Sequence, residues 1–298
     1  FQRNFHFSGH FDFIHELLLI VKCNSLYAKI LRTCFYVDYD YNYSNSIEIE
    51  KHFVKEYFMK PLIVITGASS GFGQALAVEF NQAGHPLLLL ARRLERLEAL
   101  HLKNAMCEQV DVTDRAAFEA AVRRAEAIWG KTDLIIDNAG VMLLGNLESQ
   151  EPGEWQTMLN TNVMGVMNGM QIVMNDMKAR QSGTIVNLSS LAGVKPFENH
   201  AAYCASKYGV VGLSEVARGE LSAYNVRVIT VCPGAVATEL LGHTTSEEIK
   251  AGYLQWKETV GADSITARDV AKTIRFAYEL PQGVNLRQIQ IADTRQDA

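Results

Sequence analysis

The sequence predicts an α/β fold: one Rossmann-like, doubly wound parallel sheet of seven strands with helices on both faces. Three observations carry this expectation. Short, nearly continuous apolar runs alternate with segments of helical spacing from residue 61 to residue 291, as strands buried on both sides by crossover helices require. A glycine-rich turn joins the first apolar run to the first helical segment. No internal repeat or low-complexity linker interrupts residues 61–298.

Pro61–Thr66 (PLIVIT) is a β-branched run with turn residues behind it, the first strand. Gln74–Ala83 has apolar residues at 76, 77 and 80, a helical spacing. Pro86–Ala91 is the second strand and Leu94–Leu102 a helix. Ala105–Val112 contains the third strand, which ends at an acid. Arg115–Trp129 is helical, Asp133–Asp137 is strand four, and Glu154–Arg180 is one long helix. Gly183–Leu188 is strand five, Ala202–Tyr224 a second long helix, and Val226–Cys232 strand six. An irregular stretch follows; Ala267–Glu279 is helical and Arg287–Ile291 closes the sheet. Crossovers between parallel strands are right-handed.

Residues 1–58 have another composition. They hold 14 of the 27 Phe, Tyr and Trp residues, one Gly, one Ala and no Pro, while residues 59–298 hold all six Pro. We expect an atypical N-terminal extension over 1–58, non-native or poorly ordered, and a single catalytic, dinucleotide-binding domain over 59–298. Met59-Lys60 stands directly before the first strand, as a native start would, and the chain opens on Phe1. The extension therefore reads as translated upstream sequence; a packed accessory helix over Ile14–Leu31 and a membrane-surface segment are the alternatives.

A net charge of -5 gives no basic footprint for nucleic acid. The five cysteines show no CxxC spacing and no HExxH occurs, which argues against a zinc site or a disulfide scaffold and for a reducing compartment, the cytoplasm. Leu17–Val21, the most apolar stretch of the front segment, is bounded by Glu16 and Lys22. That is far short of the ~20 residues of a membrane span. Acids precede it and no small-residue cleavage site follows, unlike a secretory signal. No metal and no membrane partner is expected.

The turn after the first strand is Gly67-Ala68-Ser69-Ser70-Gly71-Phe72-Gly73. Glycines let main-chain amides approach a pyrophosphate, and the helix that follows offers free N–H groups and a positive dipole end. The spacing is GxxxGxG rather than GxGxxG, but its place between strand and helix is that of a dinucleotide site. Where an acid would hold the ribose of NAD, this chain has Ala91, followed by Arg92 and Arg93. Guanidinium suits a 2′-phosphate, so the expected cofactor is NADP(H). Asp111 and Val112, at the end of the third strand, either lie under the adenine ring or, for Asp111, cap the next helix; Thr113 and Asp114 are rival caps.

Tyr203 and Lys207 are spaced i, i+4 and share a helix face. A free tyrosine titrates near 10; bringing it close to neutrality takes about 4 kcal/mol of differential stabilisation. The Lys207 ammonium and an oxidised nicotinamide are the expected sources. Tyr203 would then exchange a proton with a substrate oxygen. Ser190, at the end of strand five, is placed to hydrogen-bond that oxygen, with Ser189 next to it as the rival.

TGASSGFG (66–73), DNAG (137–140), NVMG (162–165), Ser190, YCASK (203–207) and CPGAVAT (232–238) resemble, in order and spacing, the short-chain dehydrogenase/reductase family over about 61–292. The resemblance implies a Ser190–Tyr203–Lys207–Asn162 constellation, with Lys207 on the ribose and Asn162 holding a proton-relay water. It implies that Pro233, Gly234, Val236 and Thr238 hold the nicotinamide half, and that Asn138, Ala139 and Gly140 support the sheet and the adenosine side. Asp137 replaces the family's Asn, which puts one structural hydrogen bond in doubt. GFG, ARRLERL and ELPQGVNLRQIQI are similar to the bacterial NADP-dependent 3-hydroxy acid (serine-type) dehydrogenase branch.

The expected function is hydride transfer between NADP(H) and a small alcohol or carbonyl, either a hydroxy acid or an aldehyde or ketone. A non-catalytic NADP(H)-binding regulator is the alternative. Glu239–Val260 would set substrate choice, with Leu240, Leu241, Tyr253, Leu254 and Trp256 either closing an apolar lid or packing as surface helices. His200, beside Tyr203, is expected to be an exposed loop residue, with contact to substrate as the alternative. Apolar residues beyond one face of helices 154–180 and 204–224 predict a homodimer or homotetramer.

Overall fold

The computed structural model describes residues 60–260 and 265–296. The expectations for residues 1–58, and for a boundary at Met59, lie outside the described residues.

Strand β1 (Leu62–Thr66) is buried along its whole length. Ile63 and Ile65 enter one apolar cluster and Leu62 and Val64 the other, as a two-residue side-chain period demands. β2 (Leu87–Ala91), β4 (Thr132–Asp137), β5 (Thr184–Leu188) and β6 (Arg227–Pro233) follow, with β3 (Ala105–Gln109) and β7 (Gln288–Ile291) less buried at the edges. The order is β3-β2-β1-β4-β5-β6-β7, and all pairs are parallel. On one face α1 (Gly71–Gln82) and α8 (Ala267–Glu279) supply Leu76, Phe80, Val270 and Ile274. On the other, α3 (Arg115–Trp129), α5 (Gly165–Arg180) and α6 (Ala201–Leu221) supply Phe118, Val122, Val173 and Val210. Strand order reverses between β1 and β4, so the crevice opens beyond their C-terminal ends.

Several boundaries differ from the sequence expectation. The third strand ends at Gln109: the Val110 amide makes a last bond to the Ala91 carbonyl at 3.0 Å, and the buried Val110 and Val112 have no pairing partner in β2. Helix α2 spans Leu94–Glu98 and gives way to a turn with His101 and Asn104 at positive φ. The expected single helix over 154–180 is α4 (Pro152–Leu159), a π-helical turn (Asn160–Met164) and then α5. The irregular stretch contains a 3₁₀ turn (Glu239–His243) and α7 (Glu247–Thr259), which Ser246 caps by accepting from the Ile249 amide.

Asp137, at the end of β4, is buried, and neither carboxylate oxygen has a hydrogen-bond partner among the described residues. Burial holds its carboxyl well above the usual carboxylate range. It pairs in register with Asn187 of β5, whose Oδ1 is also without a partner. A Cβ at Gly169 would come within 2.0 Å of Asp137 Oδ1, so α5 crosses directly over this carboxyl.

Candidate active site

The cleft begins where β1 turns into α1. Ser70, at the cap position of α1, makes no side-chain cap bond, and the first turn holds no acid. The end of α1 therefore presents main-chain donors and a positive dipole to the cleft. A Cβ at Gly73 would lie 2.2 Å from the Gly67 carbonyl oxygen, and one at Gly67 2.8 Å from Ala139 Cα. The turn closes this tightly only on glycine. Asn138 braces it: its Nδ2 donates to the carbonyls of Thr66 (2.8 Å) and Gly67 (3.2 Å), and the Asn138 and Ala139 amides donate to Thr66 Oγ1. This cradle fits a dinucleotide pyrophosphate.

Arg93 lies beside it. Its Nη2 donates to the hydroxyls of Ser69 and Ser70, both at 3.2 Å. Its Nη1 donates to Glu239 at 3.2 Å. Arg92 is exposed at the cleft and its carbonyl accepts from Gln109. Asp114 caps α3 through the Ala117 amide. Asp111 instead accepts from the amide and hydroxyl of Thr113, and lines the cleft with Val112. Asp111 and Val112 therefore both border the cleft where the sequence places the adenine end.

At the other end stand the residues from which the sequence expects acid–base work. Tyr203, 5% exposed, lines the cleft with Ser190, whose hydroxyl works against the effect of burial on the phenol. The Ser190 Oγ also accepts from the Ala192 amide at 3.0 Å. Ser189 is turned to structure: its hydroxyl donates to the Lys207 carbonyl at 2.9 Å. Lys207 Nζ donates to the Leu188 carbonyl at 2.8 Å and lies 5.8 Å from the Tyr203 ring centroid. The lowered tyrosine expected from the sequence is not what the cleft alone produces. Burial pushes Tyr203 well up, and the Ser190 hydroxyl offsets this only in part. Burial also lowers Lys207 to about 8. Desolvation is the largest cause for each group.

Asn162 sits in the π-helical turn, fully buried. Its Oδ1 accepts from the Val141 amide (2.8 Å), and its Nδ2 donates to the Val141 carbonyl (2.9 Å) and Ser206 Oγ (3.0 Å). The side chain is therefore spent on the loop after β4. Every sequence-predicted site residue except Gly73 and Asn162 lines the one cleft.

The far wall is aromatic. Phe197, His200, Tyr253 and Trp256 form a closed circuit of ring contacts with centroids 5.3–6.1 Å apart. His200 also meets Tyr203 at 6.1 Å. His200 is thus not the exposed loop residue expected: it is partly buried in the cleft wall, and burial lowers its pKa. Leu240, Leu241 and Tyr253 pack into the cluster that contains Tyr203 and also line the cleft, so the two readings of this segment are one. Leu254 lines it too, at 51% exposure.

Sequence reasoning missed Glu239 and Gln296. Gln296 Oε1 accepts from the Ala235 amide at 2.9 Å and holds the turn that carries Gly234 and Val236. Among the described residues no group of three His, Cys, Asp or Glu side chains is placed to hold a metal ion.

Residues 61–249 match the short chain dehydrogenase family. The chain is 35% identical over 243 residues to an uncharacterised oxidoreductase of Listeria monocytogenes, covering 79% of this chain and 97% of that protein. It is 31% identical over 241 residues to the NADP-dependent 3-hydroxy acid dehydrogenase of Salmonella typhi, covering 79% and 96%. Among solved structures it is similar to the closed form of a serine dehydrogenase complexed with NADP+, with a TM-score of 0.71, 30% identity, and coverage of 77% of this chain and 94% of that one.

Proposed function

The chain belongs to the short chain dehydrogenase family, and we propose on that premise that it is an NADP(H)-dependent oxidoreductase that interconverts a small alcohol and its carbonyl, with Tyr203 as the acid and base. One observation carries the reading: Ser190, Tyr203 and Lys207 converge at one end of a cleft whose other end holds Arg93 against the Ser69–Ser70 cradle.

NADP(H), when bound, supplies or accepts the hydride. The open end of α1 and the Gly67–Gly73 turn hold its pyrophosphate, Arg93 and Arg92 the 2′-phosphate, and Asp111 and Val112 the adenine. Pro233, Gly234, Val236 and Thr238 hold the nicotinamide half, and Lys207 the adjoining ribose. Ser190 donates a hydrogen bond to the substrate oxygen. Tyr203 gives that oxygen a proton in reduction and takes one in oxidation. Burial favours the protonated phenol, the form that gives its proton in reduction. Asn162, its side chain bonded to Val141 and Ser206, positions the loop after β4 behind the site.

The exposed apolar residues Met164 and Met167 (49% and 46%) and Tyr208 and Val216 (42% and 62%) support a dimer or tetramer through α5 and α6. Light scattering at micromolar concentration tests this; a monomer mass contradicts it. No helix among the described residues is long and apolar enough to cross a membrane. Cytoplasmic location rests on the cysteine pattern, and Cys107, Cys204 and Cys232 are free thiols.

The names of the similar serine and 3-hydroxy acid dehydrogenases put hydroxy acids and their oxo forms first in a substrate panel, followed by small aldehydes and ketones. Turnover of NADPH or NADP+ with any of them is expected. Binding of the cofactor without turnover on the whole panel would instead favour a regulatory binder.

A further inference from the structure

Arg93, the cation that the cofactor reading assigns to the adenosine phosphate, already holds an anion. Its Nη1 donates to Glu239 Oε2 at 3.2 Å, while Arg96 donates to both Glu239 oxygens at 2.7 and 2.8 Å. One carboxylate is shared by two guanidiniums, and Arg93 and Glu239 both line the cleft. The Ser69 and Ser70 hydroxyls hold the remaining arm of Arg93 at the mouth of the phosphate cradle.

Resting on the NADP(H) reading, we infer that Glu239 is an internal stand-in for the cofactor's 2′-phosphate. It orders Arg93 before the cofactor arrives and is displaced from Arg93 by the incoming phosphate, keeping Arg96. Three physical points support the exchange. The Arg93 and Glu239 side chains are 43% and 52% exposed, so water screens their attraction. A phosphate monoester carries nearly twice the charge of a carboxylate and accepts a guanidinium through two parallel bonds. A carboxylate and a phosphate dianion at one guanidinium repel each other, so they do not share it. Glu239 therefore opposes the phosphorylated cofactor selectively and leaves the unphosphorylated one untouched. The exchange also reaches the substrate wall, because Glu239 is joined directly to Leu240 and Leu241, which pack in the cluster with Tyr203.

The test is calorimetric binding of adenosine 2′,5′-bisphosphate and adenosine 5′-monophosphate to the full chain. The unmodified chain should prefer the bisphosphate. Glu239→Gln should bind the bisphosphate about fivefold tighter, the scale of an exposed ion pair, with the monophosphate unchanged. The gain should vanish in an Arg93→Gln background. Equal affinity of the unmodified chain for the two nucleotides would remove the NADP(H) reading and this inference with it. A preference for the bisphosphate that Glu239→Gln leaves unchanged or weakens, or a gain that survives Arg93→Gln, would overturn the inference alone.

Discussion

The Lys207 ammonium donates to the Leu188 carbonyl at 2.8 Å and thereby sits 5.8 Å from the centroid of the Tyr203 ring. Leu188 ends the strand that leads to Ser190, and Lys207 lies in the second turn of α6. This bond thus ties the helix that carries Tyr203 to the strand that leads to Ser190. It also keeps an ammonium where burial lowers its pKa to about 8.

That arrangement has a stability consequence. The unfolded chain binds the lysine proton up to its ordinary value near 10.4. Between about pH 8 and that value the folded state has lost it, so stability rises with pH through this window. Below pH 8 the charged, buried lysine is a constant cost. Lys207→Met should raise stability at pH 7 by about 2 kcal/mol, lose that advantage by pH 10, and lower kcat/KM at least about a hundredfold. Urea melts at the two pH values and steady-state kinetics check both halves.

Asp137 behaves with the opposite sign. Its carboxyl titrates well above the usual range because it is buried without a partner. As pH rises past about 4 the unfolded chain ionises while the folded state keeps its proton, so stability falls with pH. Asp137→Asn, which can donate toward Asn187 across the β4–β5 pair, should match the parent near pH 4. At pH 7 it should exceed it by about 2 kcal/mol. Equal midpoints at both pH values would contradict this.

At the adenosine end, Arg93→Gln should weaken NADPH about 10- to 100-fold, the range for hydrogen bonds to a charged group. NADH should bind as before. Fluorescence titration with the two reduced cofactors measures the ratio; an unchanged preference would take Arg93 out of the phosphate site.

How much of this was legible in the sequence follows from the range of each interaction. The sheet was, because each strand's apolar run records burial on two faces. The end of β3 was not: Val110 and Val112 are buried beyond the last paired residue, Gln109, and hydropathy reports burial, not pairing. The break at Asn160–Met164 escaped because apolar spacing runs on through a π-helical turn. Gly67–Gly73, Ser190, Tyr203 and Lys207 were legible since each motif lies within one or two adjacent elements. Glu239 and Gln296 were not, for they meet Arg93 and Ala235 only after 146 and 61 residues of chain have folded between.

On the proposed function, the aromatic wall serves substrate rather than cofactor. Trp256→Ala removes a ring that packs on Tyr253 at 5.3 Å and on Phe197 at 6.1 Å. KM for the carbonyl substrate should rise about 3- to 10-fold, the worth of an aromatic contact, with the dissociation constant of NADPH unchanged. A loss of NADPH affinity instead would mean the wall supports the cofactor.

The central claim is that Tyr203 moves the proton while the cofactor moves the hydride. Single-turnover oxidation of bound NADPH by Tyr203→Phe tests it most directly. The account predicts cofactor affinity within about twofold of the parent and a chemical step slowed by about 10³- to 10⁴-fold. A Tyr203→Phe variant that binds NADPH normally and reduces substrate at more than a tenth of the parent rate would contradict it.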